Sequence, residues 1–213
     1  MIHTLALAAA LTLQSTDRAG WIAFQAGNVY AADANAPYDS LLTALERGQG
    51  STIRHQIPHV GKVYVVADEI LHRFACDVAD QVLPERADRK ATAEAAIDAK
   101  RAWLKGIIDD KELAEARQAA YRAAREALEA NDNRCYADQV GLTAAGDACD
   151  PRPEKAAVAV ARSAAAALAW RATESDPAKY EDAKRDERNK LDAELSRRVS
   201  AKFGEYDLSW IGQ

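Results

Sequence analysis

The chain has 213 residues, of which 48 are alanine, and a formal net charge of −5. A chain of this length can form one domain with its own hydrophobic core, or one domain with a sizeable appendage. The acidic balance argues against a nucleic-acid-binding protein, because such binding depends on clustered Lys and Arg side chains. Alanine is the best helix former, so the alanine-rich composition predicts an all-α protein.

The first residues have two interpretations. Residues 1–14 resemble the apolar core of a secretory signal peptide, but no Lys or Arg precedes the apolar run. We favour an ordinary first helix and a cytoplasmic protein. No stretch reaches the ~18 apolar residues of a membrane span, so no membrane association is expected. The odd number of cysteines, Cys76, Cys135 and Cys149, favours reduced, buried thiols over a disulfide framework.

Residues 1–61 are predicted to form a small, mixed N-terminal element. In segment 21–32 the turn residues Ala-Gly-Asn separate two runs that contain aromatics. This pattern predicts either a β-hairpin or two irregular helical turns. Residues 38–48 predict a short helix that ends at a glycine, and residues 48–61 predict a connector because they contain glycines and a proline.

From Lys62 onward the sequence predicts a second domain, 62–213, that is an antiparallel, alanine-rich helical bundle. Five or six long helices are expected because short breaks separate long helical stretches. The predicted helices cover 62–83, 88–106, 109–130, 135–149, 154–174 and 177–203. Their limits are set by capping and helix-breaking residues: Pro84, Asp88 as an N-cap, Gly106, Asp109, Asp150–Pro153, Asp176 with Pro177, and Gly204.

The last of these helices predicts one buried and one charged face. Leu191, Leu195 and Val199 recur at intervals of four residues, which predicts a buried stripe. Three acid-before-base pairs lie four residues apart on the other face: Glu181 with Arg185, Asp186 with Lys190, and Glu194 with Arg198. The tail after this helix contains Trp210 and Ile211, which would need a groove to cover them.

One polar cluster has the residue types of a metal site. The candidate ligands lie on the first long helix and in the connector before it: Asp68, Glu69, His72, Cys76, His55 and His59. Asp68, His72 and Cys76 share one helix face at intervals of four residues. Glu69-x-x-His72 also has the spacing of one half of a helical di-iron carboxylate site. A metal-dependent enzyme centred on these residues is therefore the alternative function.

Several observations weigh against that alternative. A helical di-iron site needs a second Glu-x-x-His motif, and the sequence has none. The chain also lacks a Gly-x-Ser-x-Gly nucleophile motif and a glycine-rich phosphate-binding loop. We therefore predict that the protein is not an enzyme and needs no cofactor, and that a hydrogen-bonded His72 is part of a structural helix face.

Two tryptophans stand beside basic residues. Trp103 follows Arg101 by two positions, and Trp170 directly precedes Arg171. Large side chains can fill gaps between thin, alanine-rich helices, which is one interpretation. Exposed Trp and Arg side chains also dominate the binding energy of protein interfaces, which is the other.

Three segments, 71–84, 95–108 and 113–127, resemble the alanine-rich helical immunity proteins of bacterial polymorphic-toxin systems. Similar domains occur in actinobacterial and phage proteins. The matching features are a helix that ends in Val-Leu-Pro, a helix that closes with Arg-x-Trp-Leu-x-Gly, and Glu-Ala-Arg near the start of the next helix. The resemblance covers about 62–203. It implies no catalytic residues, and it implies that the protein binds and neutralises another protein.

These observations predict a non-enzymatic inhibitor that acts by occluding a protein partner. It would be an immunity protein or a phage-encoded blocker of a host defence protein. An acidic bundle suits a basic partner, such as a toxin or a defence nuclease, because complementary charge speeds encounter. The predicted contact surface combines Trp103 with the carboxylates of Asp109, Asp110 and Glu112. The sequence leaves the oligomeric state open.

Overall fold

The structure is a computed structural model that describes residues 21–23, 29–32, 40–47, 62–65, 68–130, 135–173, 176–203 and 206–207. The described helices are α1 (Leu41–Arg47), α2 (Asp68–Asp80), α3 (Ala87–Leu104), α4 (Asp110–Glu129), α5 (Cys135–Ala148), α6 (Pro153–Ala172) and α7 (Pro177–Phe203). The strands are β1 (Trp21–Ala23), β2 (Val29–Ala32), β3 (Lys62–Val65) and β4 (Tyr206–Asp207).

The chain divides into two compact units, and the division falls within α2 and α7. The helical unit comprises Leu71–Leu191, and the other unit comprises the described residues up to Ile70 and from Asp192 onward. The sequence predicted one boundary, between residues 61 and 62, whereas the structure has its first boundary after Ile70. The prediction also missed the second boundary, after Leu191, beyond which the chain belongs to the same unit as its beginning.

The helical unit confirms the predicted alanine-rich antiparallel bundle. Within it α3 packs against α4 and α5, and α5 packs against α4 and α6. Larger apolar side chains such as Phe74, Ile97 and Leu142 are fully buried between the helices. Across the described residues, no helix is both long enough and apolar enough to span a bilayer.

Helix α6 is buried around most of its circumference. Its buried positions are small: Ala156, Ala157, Val158, Val160, Ala161, Ala164, Ala165, Ala166, Ala167 and Ala169. Alanine gives up no side-chain entropy on ordering, so this helix forms readily. Its methyl groups also allow the neighbouring backbones to approach closely.

The predicted breakers set most helix ends. Gly106 follows α3 with a φ of 69°, a left-handed conformation that glycine adopts without strain. Pro153 is the first residue of α6, and Pro177 is the first residue of α7. The Asp176 carboxylate accepts a hydrogen bond from the backbone N–H of Ala178 at 3.0 Å. These boundaries agree with the sequence prediction.

The predicted N-cap of α3 is wrong. Arg86 occupies the N-cap position without a side-chain cap, and Asp88 lies inside the first turn. The Asp88 carboxylate accepts hydrogen bonds from the Arg86 guanidinium at 3.1 and 3.3 Å. A carboxylate is favourable anywhere in the first turn, because it faces the positive end of the helix dipole. The predicted N-cap therefore lies two residues after the N-cap of the structure.

Segment 21–32 forms a hairpin rather than helical turns. Strand β1 pairs antiparallel with β2, placing Trp21 opposite Ala32. Strand β3 adds to the other edge of β2, and β4 pairs with β3, giving the strand order β1-β2-β3-β4. The predicted helix start at Lys62 is therefore wrong, and the first helix of the bundle begins at Asp68. The β-branched and aromatic run Val63-Tyr64-Val65 favours the strand that it forms.

Helix α1 is shorter than predicted, because it covers Leu41–Arg47 instead of 38–48. Its side chains Leu41, Leu42 and Leu45 are buried. The Asp192 carboxylate of α7 accepts hydrogen bonds from the Leu42 backbone N–H at 2.7 Å and from the Ser40 hydroxyl at 3.0 Å. This carboxylate thus satisfies a backbone N–H that the start of α1 leaves unpaired.

The predicted faces of α7 are partly as expected. Leu191 and Leu195 are buried, as the stripe predicts. Arg198 pairs with Glu194 at 2.7 Å, as predicted. The other two bases pair with an acid three residues earlier: Arg185 with Asp182 at 2.8 Å, and Lys190 with Glu187 at 2.6 Å.

Some predictions concern residues outside the described ranges. These are the helix or signal peptide at 1–14, the connector at 48–61, and the side chains of Val199, Trp210 and Ile211. Of the cysteines, Cys76 and Cys149 are buried and free, as predicted.

Candidate functional site

The four residues of the predicted partner surface come together at the turn between α3 and α4. Trp103 lies in the last turn of α3, and Asp109, Asp110 and Glu112 lie at the start of α4. The indole Nε1 of Trp103 donates a hydrogen bond to Asp110 Oδ1 at 2.7 Å. The tryptophan is half-buried and the three acids are exposed.

The two outer acids also cap α4. Glu112 N–H donates to Asp109 Oδ1 at 2.8 Å, and Asp109 N–H donates to Glu112 Oε2 at 3.0 Å. This reciprocal pair is a capping box, which satisfies two backbone donors at the helix start. The acids therefore have a structural role, while each carboxylate keeps acceptor capacity on its solvent side.

The sequence prediction missed the most exposed apolar residue of this turn. Ile107 is 70% exposed, and Leu128 at the other end of α4 is 59% exposed. The Ile107 backbone N–H donates to Ala102 O at 3.0 Å, so its backbone is fixed against the end of α3. The sequence offered no signal for this exposure, because an apolar residue directly after a helix-terminating glycine commonly packs against the last turn of the helix.

The Trp103 ring connects this turn to a buried polar cluster. Lys100 Nζ lies 4.0 Å from the centroid of the indole, in a cation–π contact. His72 meets the same ring edge-on. Trp103 thus fills a gap between helices with one part of its ring and reaches the exposed turn with its N–H, whereas its role in a protein interface stays a prediction.

Trp170 fits the gap-filling interpretation. Its ring lies 4.6 Å from that of Tyr136 and 5.9 Å from that of Tyr180, measured between centroids. The hydroxyls of the two tyrosines are 3.1 Å apart, within hydrogen-bond distance. The neighbouring Arg171 guanidinium donates a hydrogen bond to Leu83 O at 2.8 Å, which links α6 to the segment after α2.

The predicted metal ligands are not brought together in the described part of the chain. His72 and Cys76 are buried, whereas Glu69 is exposed. No group of three potential ligands occurs among the described residues. The side chain of Asp68, and the whole of His55 and His59, lie outside the described ranges. The Glu69-x-x-His72 motif therefore does not present both its side chains to one site.

The buried cluster around His72 instead holds an amine and two thiols. Lys100 is fully buried, and its Nζ donates to the backbone carbonyl of Asp150 at 2.8 Å. Cys149 Sγ donates to Ala96 O at 3.2 Å. His72 Nδ1 has no hydrogen-bond partner among the described residues. No pattern in the sequence indicates the burial of Lys100, because its hydrogen-bond partner lies 50 residues away.

Burial determines the protonation of these groups. Burial, followed by the charge of Lys100, lowers the pKa of His72 to about 4. Burial also lowers the pKa of Lys100 to about 8 and raises that of Cys76 to about 11 and that of Cys149 to about 12. At neutral pH the imidazole and both thiols are uncharged, which suits a closed interior better than a reactive site.

Asp150 is the anionic centre next to this cluster. Its carboxylate accepts hydrogen bonds from Arg117 at 3.0 Å and from Arg152 at 2.9 Å. Burial alone would raise the pKa of Asp150, but the hydrogen bonds from Arg152 and the charge of Arg117 lower it to about 2. The negative charge therefore persists and offsets the buried ammonium of Lys100.

A second carboxylate links α4, α5 and α6. Asp147 accepts a hydrogen bond from the Tyr121 hydroxyl at 2.7 Å and another from the Ser163 hydroxyl at 2.8 Å. Burial, followed by the bond to Asp147, raises the pKa of Tyr121 to about 12. Both hydroxyls are thus held as donors to one carboxylate, which is a structural arrangement.

Comparison of the chain with protein-family models, with curated proteins and with solved structures finds no match.

Proposed function

We propose that this chain is a non-enzymatic inhibitor that binds another protein through the turn between α3 and α4. The observation that carries the proposal is Ile107, which is 70% exposed on a turn with a fixed backbone. When a partner buries a large apolar side chain of this kind, the area removed from water contributes about 1.5–3 kcal/mol to binding. We call the surface formed by five residues the α3–α4 surface: Ile107, Trp103, Asp109, Asp110 and Glu112.

The rigidity of the α3–α4 surface supports binding. The left-handed Gly106, the capping box at Asp109 and the Trp103–Asp110 hydrogen bond each fix part of the turn. A preorganised surface loses little conformational entropy when a partner docks, so more of the contact energy remains as affinity.

The charge of the α3–α4 surface favours a basic partner. Asp109, Asp110 and Glu112 are exposed beside Ile107, and the whole chain has a net charge of −5. Complementary charge around an apolar anchor speeds association and orients the partner. A toxin or defence nuclease with a basic surface has this character.

The placement of the chemically versatile side chains supports a non-enzymatic role. His72, Cys76, Lys100 and Cys149 all lie in the closed interior of the helical unit. A general base or nucleophile must reach its substrate within hydrogen-bond distance, which burial of this degree opposes. Occlusion of a partner needs no such group.

The biological role follows from the resemblance to toxin immunity proteins. We propose a cytoplasmic immunity protein, or a phage-encoded protein that blocks a host defence protein in the same way. In both cases the inhibitor meets its target inside the cell and covers the surface that the target needs.

The proposal is tested by affinity capture from the native host with three baits: the wild type, Ile107→Asp and Leu128→Asp. Leu128 is the matched control, because it is exposed to a similar degree at the opposite end of α4. We expect one stoichiometric protein on the wild-type and Leu128→Asp baits and little on the Ile107→Asp bait. The purified wild-type chain should also inhibit the activity of that protein. Equal capture by all three baits, or a retained metal or small molecule without a protein partner, would overturn the proposal.

A further inference from the structure

We propose that the exposed face of α4 binds the same face of a second copy of this chain, with the two helices antiparallel. The face is a stripe with spacings of three and four residues along the helix, defined here as the α4 stripe: Lys111, Glu115, Gln118, Arg122, Arg125 and Glu129. All six residues are exposed. The proposal goes beyond the proposed function, because it concerns the chain in the absence of its target.

The spacing of the α4 stripe is that of a helix–helix seam. Intervals of three and four residues keep side chains on one side of a helix, as in the seam of a coiled coil. The opposite side of α4 faces the interior of the helical unit through Leu113, Ala120, Ala124 and Ala127. The stripe is therefore the outward face of a helix that is already anchored in the bundle.

The charges of the α4 stripe complement themselves when it is reversed. In an antiparallel seam centred on residue 120, Lys111 lies level with Glu129 of the second copy. Glu115 then lies level with Arg125, and Gln118 lies level with Arg122. The two-fold axis repeats each of these three pairs. Both pairs of charged residues, Lys111 with Glu129 and Glu115 with Arg125, therefore join opposite charges. A self-complementary patch of this kind is what a two-fold interface requires.

Most of these charges have no ion-pair partner within the described part of the chain. Lys111 approaches Glu115 only at 3.8 Å. Arg122, Arg125 and Glu129 form no ion pair with any described residue. Arg125 precedes Glu129 by four residues, the less favourable order for pairing within a helix.

Helix α7 provides the contrast within the same protein. Its exposed bases pair with acids of their own helix, as in Arg185 with Asp182 at 2.8 Å and Lys190 with Glu187 at 2.6 Å. These surface charges of α7 are therefore satisfied locally, whereas Arg122, Arg125 and Glu129 of the α4 stripe have no ion pair with any described residue.

The flanks of the α4 stripe carry both small and large side chains. Ala114 and Ala119 are exposed there, and so are the longer Glu126 and Leu128. A seam along one 20-residue helix is small and polar, so we expect a weak, reversible dimer whose stability falls with salt. The antiparallel arrangement places the two α3–α4 surfaces at opposite ends of the seam.

The experiment is sedimentation equilibrium of the purified full-length chain, without any target, over a range of protein concentrations and at low and high ionic strength. We expect the average mass to rise toward twice the monomer mass at low ionic strength and to fall back at high ionic strength. The variants Arg125→Glu and Glu115→Arg each place like charges opposite each other, so each should weaken association at least roughly tenfold.

The decisive sample is the double variant Glu115→Arg/Arg125→Glu, which restores opposite charges with reversed polarity. It should associate more strongly than either single variant. Arg185→Glu on α7 is the matched control for a charge reversal outside the seam, and it should associate like the wild type. Circular dichroism of each variant checks that the helices are retained. A wild type that is monomeric under all conditions, or a double variant no stronger than the single variants, would overturn the proposal.

Discussion

The imidazole of His72 lies edge-on to the indole of Trp103, with ring centroids 5.6 Å apart, while Lys100 sits over the face of the same indole. The side chains of His72 and Lys100, each of which can carry a positive charge, thus contact the same indole ring. Lys100 has a nearby anion in Asp150, whose backbone carbonyl also accepts its hydrogen bond. His72 stays uncharged at neutral pH because burial, followed by the charge of Lys100, lowers its pKa more than the charge of Asp150 raises it.

This arrangement predicts an acid-dependent loss of stability. The pKa of His72 is about 4 in the folded chain and 6.5 in the unfolded chain, so the unfolded state binds the proton first as the pH falls. The stability is fully present above pH 6.5 and decreases between pH 6.5 and 4, by about 2 kcal/mol at pH 5. Urea denaturation at a series of pH values measures this loss.

The matched variant for that experiment is His72→Phe, which keeps a ring beside Trp103 but cannot be protonated. Its free energy of unfolding should depend less on pH between 6.5 and 5 than that of the wild type. Identical pH dependence in both proteins would show that His72 does not cause the loss.

A second prediction concerns the charge balance between Asp150 and Lys100. Asp150→Asn leaves the buried ammonium without its nearby anion, so we expect a loss of about 2–4 kcal/mol in the free energy of unfolding. Combining it with Lys100→Met should cost less than the sum of the two single changes, because the uncompensated cation is then gone. Chemical denaturation of the four proteins gives this coupling energy, and strict additivity would contradict the prediction. Asp98→Asn, at an exposed ion pair, is the control and should change stability by less than about 0.5 kcal/mol.

A third prediction concerns the contact of α5 with the chain after α2. A Cβ atom at Gly141 would lie 2.3 Å from the backbone carbonyl oxygen of Val82, which cannot rotate away as a side chain can. We therefore expect Gly141→Ala to lower the free energy of unfolding by about 1–3 kcal/mol, although alanine favours helices. Gln139→Ala, a half-buried position on the same helix, is the control and should be nearly neutral. A free energy of unfolding unchanged by Gly141→Ala would contradict this close approach of α5 to the Val82 carbonyl.

A fourth prediction separates the two roles of Asp109. Asp109→Ala removes the cap of α4 and should cost about 1 kcal/mol of stability. Asp109→Asn keeps a capping oxygen but removes the charge, so it should unfold like the wild type and bind a basic target more slowly. Thermal denaturation measures the first effect, and association kinetics with the captured target measure the second. An unchanged association rate for Asp109→Asn would assign the residue a capping role alone.

The sequence predicted the helices well where local chemistry decides their ends. Pro153, Pro177 and Gly106 act within one turn of the chain, so their effect is readable without the fold. Segment 62–65 was misassigned because its pairing with β2, which joins Val29 to Val65 and Ala32 to Lys62, depends on residues far earlier in the chain. An alternation of Val and Tyr next to a helical pattern fits both a strand and a helix.

The buried ionic residues were the part that the sequence could not reveal. Arg89 and Asp138 form a buried ion pair at 3.2 Å, although they are 49 residues apart. On a helical pattern a buried Lys100 looks the same as any solvated lysine, because its burial depends on which helices surround it. Trp103, Asp110 and Glu112 were expected to lie together because they are neighbours in the chain, whereas the exposure of Ile107 and the polar interior required the fold.

The methyl-lined environment of α6 has a consequence for how this protein can change over generations. At Ala164 to Ala167 four successive side chains are buried, so replacement by even a valine adds volume where the neighbouring helices leave none. Substitutions that are mild elsewhere would force those helices apart. Exposed positions such as Ile107 have no neighbouring helix to displace, so they accept side chains of other sizes. The buried alanines of α6 should therefore change most slowly during evolution. The exposed residues that contact a partner can change faster without altering the helical core.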